Sequence, residues 1–501
     1  MRAALSLTLL LPLFLACSAD WKGEGDDPNG RDGGGTDGGA ADGGADGGTG
    51  DGGTGDGGTG DGGTDGGTGD GGDTGDGGTD GGSGDGGADV FCPVQVDLSA
   101  PSSGDGSAAR PVQQVQAGID VAYNIGCLQI EVHPGTYEEQ IDFRGLDVDI
   151  VGLDGPEATV LDGQGYGPVV TINSGEGSGA RLRGFTVTGG SAERGGGVYV
   201  SGADPVLDDL IVRDNSASGG TNLGGGLYLY DSEATLSNSI VQGNNAGLGG
   251  DDDGNDGGGL AILYGAPLIQ GNRFLDNTAG DGGGIWVAQA SPIILHNLLD
   301  GNRAQDSGRT DDLGFTLEGQ GGGIVFQTNT GGALFTNNLV TNNEASTHGG
   351  GVAIIGFYAD TDVANPTVQN NVLAWNRVDA GDYGDGIVVW GWSAPTVRNN
   401  AIVGHGGVGA YMQYSYASWT YNNLFDNGSA YGGDPGDLTG TGGNIAVAPG
   451  FQSVSDDGDG TNDDFALRSS SGMVDVGDPA VLDGDGTRSD VGAYGGSEGG
   501  W

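Results

Sequence analysis

Residues 280–304 read GDGGGIWVAQASPIILHNLLDGNRA and set the pattern for most of the chain. A glycine triplet starts at Gly282 and is followed by a short alternating apolar run. A turn containing Pro292 leads into a second apolar run, and the unit closes with Asn297 and Asn302. Variants of this unit recur along the sequence, which predicts a solenoid of stacked repeats.

Glycine triplets mark the start of successive repeats. They begin at Gly195, Gly224, Gly257, Gly282, Gly321 and Gly349, with weaker versions at Gly384 and Gly406. Their unequal spacing suits stacked coils that carry loop insertions of different lengths. Glycine permits the positive backbone angles and the close backbone approach that a corner of the coil needs.

Alternation after each triplet predicts one inward apolar face per coil, because successive side chains of a strand point to opposite sides. The predicted inward residues include Val198, Val200, Leu227, Leu229, Ile285 and Val287. Asparagines recur where a second corner should lie, and their amides are expected to form a ladder that satisfies the turn backbone. The predicted ladder residues are Asn272, Asn297, Asn338, Asn371, Asn400 and Asn423.

The unit GGG-[VIL] followed by F/V-x-x-N, as at residues 212–215 and 274–277, resembles two groups of repeats. These are the repeats of polymorphic outer-membrane proteins and of other right-handed parallel β-helix proteins, and the resemblance covers roughly residues 195–430. It implies an all-β, single-stranded right-handed parallel β-helix of the pectate-lyase-like kind, with about ten or more coils. The turn at residues 133–137 and the segment ending at residue 496 resemble the opening coil and the closing segment of such proteins.

Composition and pattern divide the chain into five predicted segments. They are a signal peptide (1–16), a disordered acidic Gly/Asp/Thr-rich linker (17–89), an N-terminal cap (90–127), the β-helix (128–450) and a C-terminal capping segment (451–501). The linker lacks the apolar residues that could offset the entropy of ordering it. A short helix in the cap is predicted to begin at Arg110 and Pro111, with Val112, Val115 and Ile119 on one face. The C-terminal segment is expected to close the last coil and cover an exposed sheet edge.

The N-terminus predicts export and a lipid anchor. Arg2 precedes an apolar core at residues 5–15, as in a signal peptide. The sequence Phe14-Leu15-Ala16-Cys17 resembles the lipobox of bacterial lipoproteins, which implies acylation of Cys17 and attachment to the cell envelope. Ser18 after the cysteine points to the outer membrane. The alternative is an ordinary secretory signal with a chance cysteine.

Two further cysteines, Cys92 and Cys127, lie near the start of the predicted folded part. In an oxidising compartment such a pair most simply forms a disulfide. Two separate buried thiols are the alternative.

The charge balance limits the partners of the chain. There are 69 Asp and Glu residues against 16 Lys and Arg residues, which gives a formal net charge of −53. Nucleic acids and anionic lipids are poor partners for such a surface, because phosphate contacts need clustered basic residues. Cationic or calcium-bridged partners fit better, and Lys22 is the only lysine.

Two acidic loops are candidate calcium sites. Asp251, Asp253 and Asp256 belong to a dense carboxylate run inserted before a glycine triplet, and Asp457, Asp459 and Asp463 have spacing like the first half of an EF-hand loop. Carboxylate oxygens at alternate positions of a glycine-bent loop suit a hard cation. The alternative is a pair of solvated, self-repelling loops.

If alternate residues of the repeat face inward, several aromatic side chains face outward. The predicted outward set is Tyr199, Tyr228, Tyr230, Trp286, Trp390 and Trp392, and residues 411–421 are also rich in aromatic side chains. Aligned aromatic rings can stack against sugar rings or form a protein-binding patch. The alternative is that these residues favour strands and are covered by the inserted loops.

Known polysaccharide-enzyme motifs are incomplete in the sequence. Lyase-type elimination needs a basic residue, and no lysine follows Lys22. Gly404-His405-Gly406 matches a polygalacturonase-type GHG motif, but the R-x-K partner of that motif is missing. His405 falls where other coils carry a ladder asparagine and is predicted to be a corner residue. A fold alone does not assign a reaction.

These features predict an envelope-anchored β-helix lipoprotein that acts as a cell-surface binding, adhesive or structural protein and contacts polysaccharide. The alternative is a polysaccharide lyase or glycoside hydrolase, in which carboxylates would converge with an arginine or histidine in a cleft across neighbouring coils. A purely mechanical spacer is the third possibility.

Overall fold

The computed structural model of the chain describes residues 91–500, except 248–253, 307, 309–317, 329, 357–362, 380, 382 and 435. The predicted signal peptide, the lipidation site Cys17 and the linker lie outside the described residues, as do Asp251 and Asp253. None of the helical segments in the described part of the chain has the length and apolar character of a membrane span.

Successive coils of the chain stack in register and form three parallel sheets. The strands that follow the glycine triplets form an 11-stranded sheet, here called the triplet sheet. Its strands are Ile141–Asp142, Val170–Ile172, Val198–Ser201, Leu227–Ser232, Leu260–Gly265, Ile285–Ala288, Ile324–Gln327, Val352–Ile355, Ile387–Trp390, Val408–Gln413 and Ser429–Gly433. One strand per coil confirms the prediction of a parallel β-helix with ten or more coils.

A 21-stranded sheet contains the strands that flank the asparagine corner of each coil. One column consists of Val94–Val96, Gln129–Val132, Asp149–Gly152, Thr235–Ser237, Leu268–Gln270, Ile293–Leu295, Leu334–Thr336, Thr367–Gln369, Thr396–Arg398 and Ser418–Thr420. The other column consists of Gly135–Tyr137, Thr159–Asp162, Ile240–Gln242, Arg273–Leu275, Leu298–Asp300, Leu339–Thr341, Val372–Ala374, Ala401–Val403 and Asn423–Phe425. The long strands Arg181–Thr188 and Val206–Arg213 pass through both columns.

A third, 7-stranded sheet of two-residue strands precedes the triplets. Its strands are Ser191–Ala192, Ser216–Ala217, Asn245–Ala246, Thr278–Ala279, Arg303–Ala304, Glu344–Ala345 and Arg377–Val378. Seven coils therefore contribute to all three sheets, and apolar side chains fill the space between the sheets. The predicted inward residues Val198, Val200, Leu227, Leu229, Ile285 and Val287 are all fully buried, and each such burial contributes roughly 1.5–3 kcal/mol.

Two asparagine ladders run along the stack. The predicted ladder is formed by Asn272, Asn297, Asn338, Asn371, Asn400, Asn422 and Asn444, each of which bonds to the next. The second ladder is formed by Asn215, Asn244, Asn277, Asn302, Asn343, Asn376, His405 and Asn427. His405 takes the place of an asparagine in it, as predicted.

The assignment of Asn423 to the ladder is wrong by one residue. In each coil the ladder asparagine lies three positions after an inward residue, and register aligns Val397 with Trp419. Trp419 therefore assigns the ladder position to Asn422, whose Nδ2 donates to the carbonyl of Val397. The side chain of Asn423 bonds instead to the backbone of Val447.

The N-terminal cap contains the only α-helix in the described residues, Val115–Ile125. The helix begins later than the predicted start at Arg110, because its first N–H groups, those of Val115 and Gln116, donate to the carboxylate of Glu139. An acceptor at a helix N-terminus stabilises that end. The strand Val94–Val96 pairs with Gln129–Val132, so stacking already begins within the predicted cap. Cys92 and Cys127 form the predicted disulfide.

The C-terminal segment lies along the side of several coils rather than only over the last one. It contains the antiparallel strands Phe451–Ser453 and Asp464–Leu467 and the short 3₁₀-helix Gly460–Asn462. Its residues Phe465, Met473 and Val491 pack against outward-facing Leu298, Leu339, Val372 and Ala401. These coils carry apolar residues where solvent-facing ones would be expected, and this apolar column explains the lateral packing.

Candidate functional site

Five of the six aromatic residues predicted to face outward lie on the outer side of the triplet sheet, whereas Trp392 lies in the turn after the strand Ile387–Trp390. Parallel register sets Tyr199 beside Tyr228 and Trp390 beside Gln413. Aromatic and apolar residues of this side form a cluster separate from the core, which includes Leu223, Tyr228, Trp286, Val325, Ala353 and Val388. The outer side of the sheet therefore has an apolar layer of its own.

Two of the predicted ligand residues, Tyr228 and Trp286, are buried, with exposed fractions of 1% and 7%. The indole N–H of Trp286 donates to Gln327, at 3.0 Å, and the side chain of Gln327 donates to Asp281. The residue before a triplet also folds over this layer, as Leu223 does. The prediction that these two rings offer a face to a ligand is therefore wrong.

Tyr199 and Tyr230 are half-buried, on either side of Tyr228. Their ring centroids lie 5.8 and 6.2 Å from that of Tyr228, and all three rings are stacked. Tyr264 meets Tyr230 edge-on at 5.5 Å. These rings bury much of one another's surface. This group therefore exposes less aromatic surface than the rings of the last coils do.

The last coils of the triplet sheet carry an open group of rings, here called the aromatic patch. It consists of Tyr383, Trp390, Trp392, Tyr411, Tyr414 and Tyr416. Trp390 and Tyr411 stack at 6.3 Å with an interplanar angle of 18°. Tyr414 stands edge-on to Trp390 at 82°, and Trp392 pairs with Tyr416 at 6.1 Å. The patch combines two half-buried rings with near-parallel planes and four more exposed rings.

Four rings of the aromatic patch are exposed. The exposed fractions are 37% for Tyr383, 44% for Trp392, 53% for Tyr414 and 68% for Tyr416. Such grouped exposure of large aromatic side chains is unusual on a protein surface, and it makes the aromatic patch the candidate binding surface. Trp390 and Trp392 were predicted members, whereas Tyr383 was missed. The position of Tyr383 directly before the weak triplet at Gly384 was the feature of the sequence that could have placed it beside this surface.

The groups beside the aromatic patch set its charge. His348 packs 4.8 Å from Tyr383 and 5.0 Å from Trp390, and burial lowers the pKa of its imidazole to about 4. His348 is therefore neutral at neutral pH. Burial, Tyr383 and the Asp434 carboxylate raise the pKa of the Tyr411 phenol.

Two buried acids lie beneath the outer layer in the middle coils. Asp281 and Glu318 have exposed fractions of 4% and 3%. Asp281 accepts from the backbone N–H of Gln320 at 2.9 Å and from Gln327 at 3.0 Å. Burial and the negative charge of Glu318 raise the pKa of Asp281 to about 7. The pair lies near Trp286, but both acids are closed to solvent.

The raised pKa of Asp281 predicts a pH dependence of stability. Its folded value lies above the ordinary value of 3.8, so protonation stabilises the fold at low pH, and this stability is lost as the pH rises from about 4 through 7. We expect the melting temperature of the wild type to fall more steeply between pH 5 and pH 8 than that of Asp281→Asn. The difference corresponds to roughly 1–4 kcal/mol.

Thermal unfolding of both proteins across this pH range measures the effect. Asp154→Asn removes an exposed carboxylate and serves as the control, because its profile should match that of the wild type. Parallel profiles for Asp281→Asn and the wild type would contradict the assignment.

The structure does not assemble the predicted calcium ligands Asp457, Asp459 and Asp463. In the described part of the chain, one group of three carboxylates has oxygens within 4.8 Å of one another, and its members are Asp475, Asp483 and Asp490. Asp457 and Asp459 instead accept hydrogen bonds within their own turn, from Asp459 and Thr461. Of the three ligands predicted in the other loop, Asp256 alone lies within the described residues, and it is buried beside the triplet sheet.

A family model described as a right handed beta helix region matches residues 170–368. This match and the strand pairing identify the fold as a right-handed parallel β-helix. No curated protein matches the chain.

Three solved structures share limited similarity with the chain. The Azotobacter vinelandii mannuronan C-5 epimerase AlgE4 A-module is 15% identical over 67% of this chain and 79% of that chain, with a TM-score of 0.33. A pectin methylesterase mutant in complex with a hexasaccharide is 8% identical over 71% and 93%, with a TM-score of 0.21. A mutant of the PL6 family alginate lyase AlyGC is 14% identical over 71% and 56%, with a TM-score of 0.24. Similarity at this level assigns no activity.

Proposed function

We propose that this chain is a binding protein whose aromatic patch contacts polysaccharide. The observation that carries the proposal is the group of four exposed aromatic rings on the last coils. Pyranose rings have apolar C–H faces that stack on aromatic side chains, and the polar edge of Tyr or Trp can bond to the sugar hydroxyls. A group of several exposed aromatic rings suits a sugar chain better than a compact ligand.

The β-helix supports this role by fixing the positions of Trp390 and Tyr411. Trp390 and Tyr411 stand on neighbouring strands whose inward residues are buried in the continuous core. The hydroxyl of Tyr411 donates to Gln413 at 2.9 Å, which fixes the orientation of its ring. Rings that are already ordered lose little entropy when a ligand binds.

In the same proposal the β-helix is displayed at the cell envelope. The lipobox-like sequence that ends at Cys17 would supply the anchor, and the acidic linker after it would act as a flexible tether. Calcium as a stabiliser of the acidic loops remains a prediction. The chain would then serve as an adhesive or surface-binding lipoprotein.

A glycoside hydrolase is the second candidate, since Asp281 and Glu318 form an acid pair beside Trp286. Such enzymes place two carboxylates on either side of the bond that is cleaved. In this arrangement a sugar cannot reach the pair, because both side chains are buried. We therefore favour binding over hydrolysis.

The test is affinity electrophoresis of the full chain through gels that contain single soluble polysaccharides, with product analysis of each polymer. We expect at least one polysaccharide to slow the migration of the protein without itself being shortened. Shortening of a polymer would overturn the binding proposal in favour of an enzyme, and unchanged migration in all gels would overturn it in favour of a spacer.

A further inference from the structure

A carboxylate lies beside the aromatic patch. The backbone N–H of the exposed Asp434 donates to the carbonyl of Met412, the residue after Tyr411, at 2.8 Å, and the Asp434 charge contributes to the raised pKa of the Tyr411 phenol. His348 lies against two rings of the patch and is neutral at neutral pH.

Arginines of the same coils are engaged elsewhere. Arg377 forms an ion pair with Glu344, and Arg398 forms one with Asp478 at 3.0 Å. No lysine follows Lys22 in the whole sequence. A sugar carboxylate bound at the patch would therefore lack the arginine or lysine that normally pairs with it, and it would face a chain with a net charge of −53.

We infer that the ligand of the aromatic patch is a glycan that carries protonated amines, such as a β-linked polymer of 2-amino-2-deoxyhexose, rather than a polyuronate. The inference rests on the proposed function and specifies its ligand class. An ammonium group above Trp390 or Tyr411 gains a cation–π interaction with the ring. The Asp434 carboxylate supplies an opposite charge near Tyr411, and the acidic surface raises the local concentration of a cationic chain.

The inference is tested with the full chain and three sugar hexamers at moderate salt and mildly acidic pH, where the amines of the glucosamine hexamer are protonated. They are hexamers of glucosamine, of N-acetylglucosamine and of galacturonate, and the dissociation constant of each is measured. We expect the glucosamine hexamer to bind at least about threefold more tightly than its acetylated counterpart. The galacturonate hexamer should bind more weakly than either.

Variants separate ring contact from general attraction between opposite charges. Trp390→Ala should abolish the preference for the glucosamine hexamer, and Asp434→Asn should reduce it, whereas Asp154→Asn, at an exposed carboxylate elsewhere, should leave it unchanged. Hexalysine carries a similar charge but has no pyranose face, so it should bind the wild type and Trp390→Ala equally.

The possible failures are distinguishable. Tighter, Trp390-dependent binding of the acetylated or the uronate hexamer would overturn the amine assignment and leave the polysaccharide-binding proposal standing. Glucosamine binding that is unaffected by Trp390→Ala would overturn the inference, since attraction of charge alone would then explain it. If none of the hexamers and none of the polysaccharides in the gels binds, the proposed function fails together with the inference.

Discussion

Replacing Gly284 by alanine is expected to destabilise the β-helix severely. A Cβ atom at this position would lie 2.5 Å from the carbonyl oxygen of Gly323 on the next coil. That oxygen also accepts a hydrogen bond from the backbone N–H of Ile285 at 3.0 Å, so it cannot move away without breaking this bond between the coils. Overpacking of this kind costs about 3 kcal/mol or more when rigid backbone must shift. Thermal and denaturant unfolding of the purified chain measure the loss.

Gly406→Ala is the matched control for this substitution. A Cβ atom at Gly406 would meet no atom within 4 Å, and the backbone there is not left-handed. We expect its stability to remain within about 0.5 kcal/mol of the wild type. Equal stability of the two variants would show that the triplets do not hold the coils at their observed spacing.

Replacing Asn302 by alanine is expected to have the second large effect, because the side chain bonds to two neighbouring coils. Its Nδ2 donates to the carbonyl of Phe274 and to Asn343, both at 2.9 Å. Its Oδ1 accepts from the backbone and side-chain N–H groups of Asn277, at 3.1 and 2.9 Å. Alanine would leave several buried polar groups without partners, at a cost of about 3–6 kcal/mol.

Amide hydrogen exchange is the sharper measurement for Asn302→Ala, since a solenoid can open locally. Exchange should accelerate at Asn277 and in the strands next to it before the ends of the helix are affected. Asn173→Ala removes an exposed asparagine outside both ladders and should leave exchange unchanged. A global loss of stability without this local pattern would argue against the ladder as the local support of the corner.

Much of the fold could be predicted because each coil repeats the same physical problem. Alternation identified Val198 and Ile285 as inward residues, and both are fully buried. The repeated corner also identified His405 as a ladder residue rather than a catalytic one. It accordingly lies between Asn376 and Asn427.

The errors lie where a local pattern is ambiguous or a long-range contact decides. Asn422 and Asn423 are adjacent, and only the register of Trp419 with Val397 shows which one joins the ladder. Glu139, far along the chain, determines where the helix in the cap begins. The apolar column that holds the C-terminal segment to the side of the coils has no local signature.

Exposure of the site residues was also beyond the sequence. Trp286 and Trp390 occupy outward positions of equivalent strands, yet Trp286 is buried while Trp390 is half-exposed within an open group of rings. Alternation gives the side of the sheet on which a ring lies, but not what covers it. Coverage depends on the residues before each triplet and therefore differs from coil to coil.

The most direct test of the central claim is a titration of the full chain with the polysaccharide that slows it most in the gels. Trp390→Ala should weaken binding by at least about tenfold, because it removes the indole ring from the aromatic patch. Tyr166→Ala removes a ring that is 72% exposed outside the aromatic patch and should bind like the wild type. Unchanged affinity for Trp390→Ala, with its fold intact by melting temperature, would contradict the account.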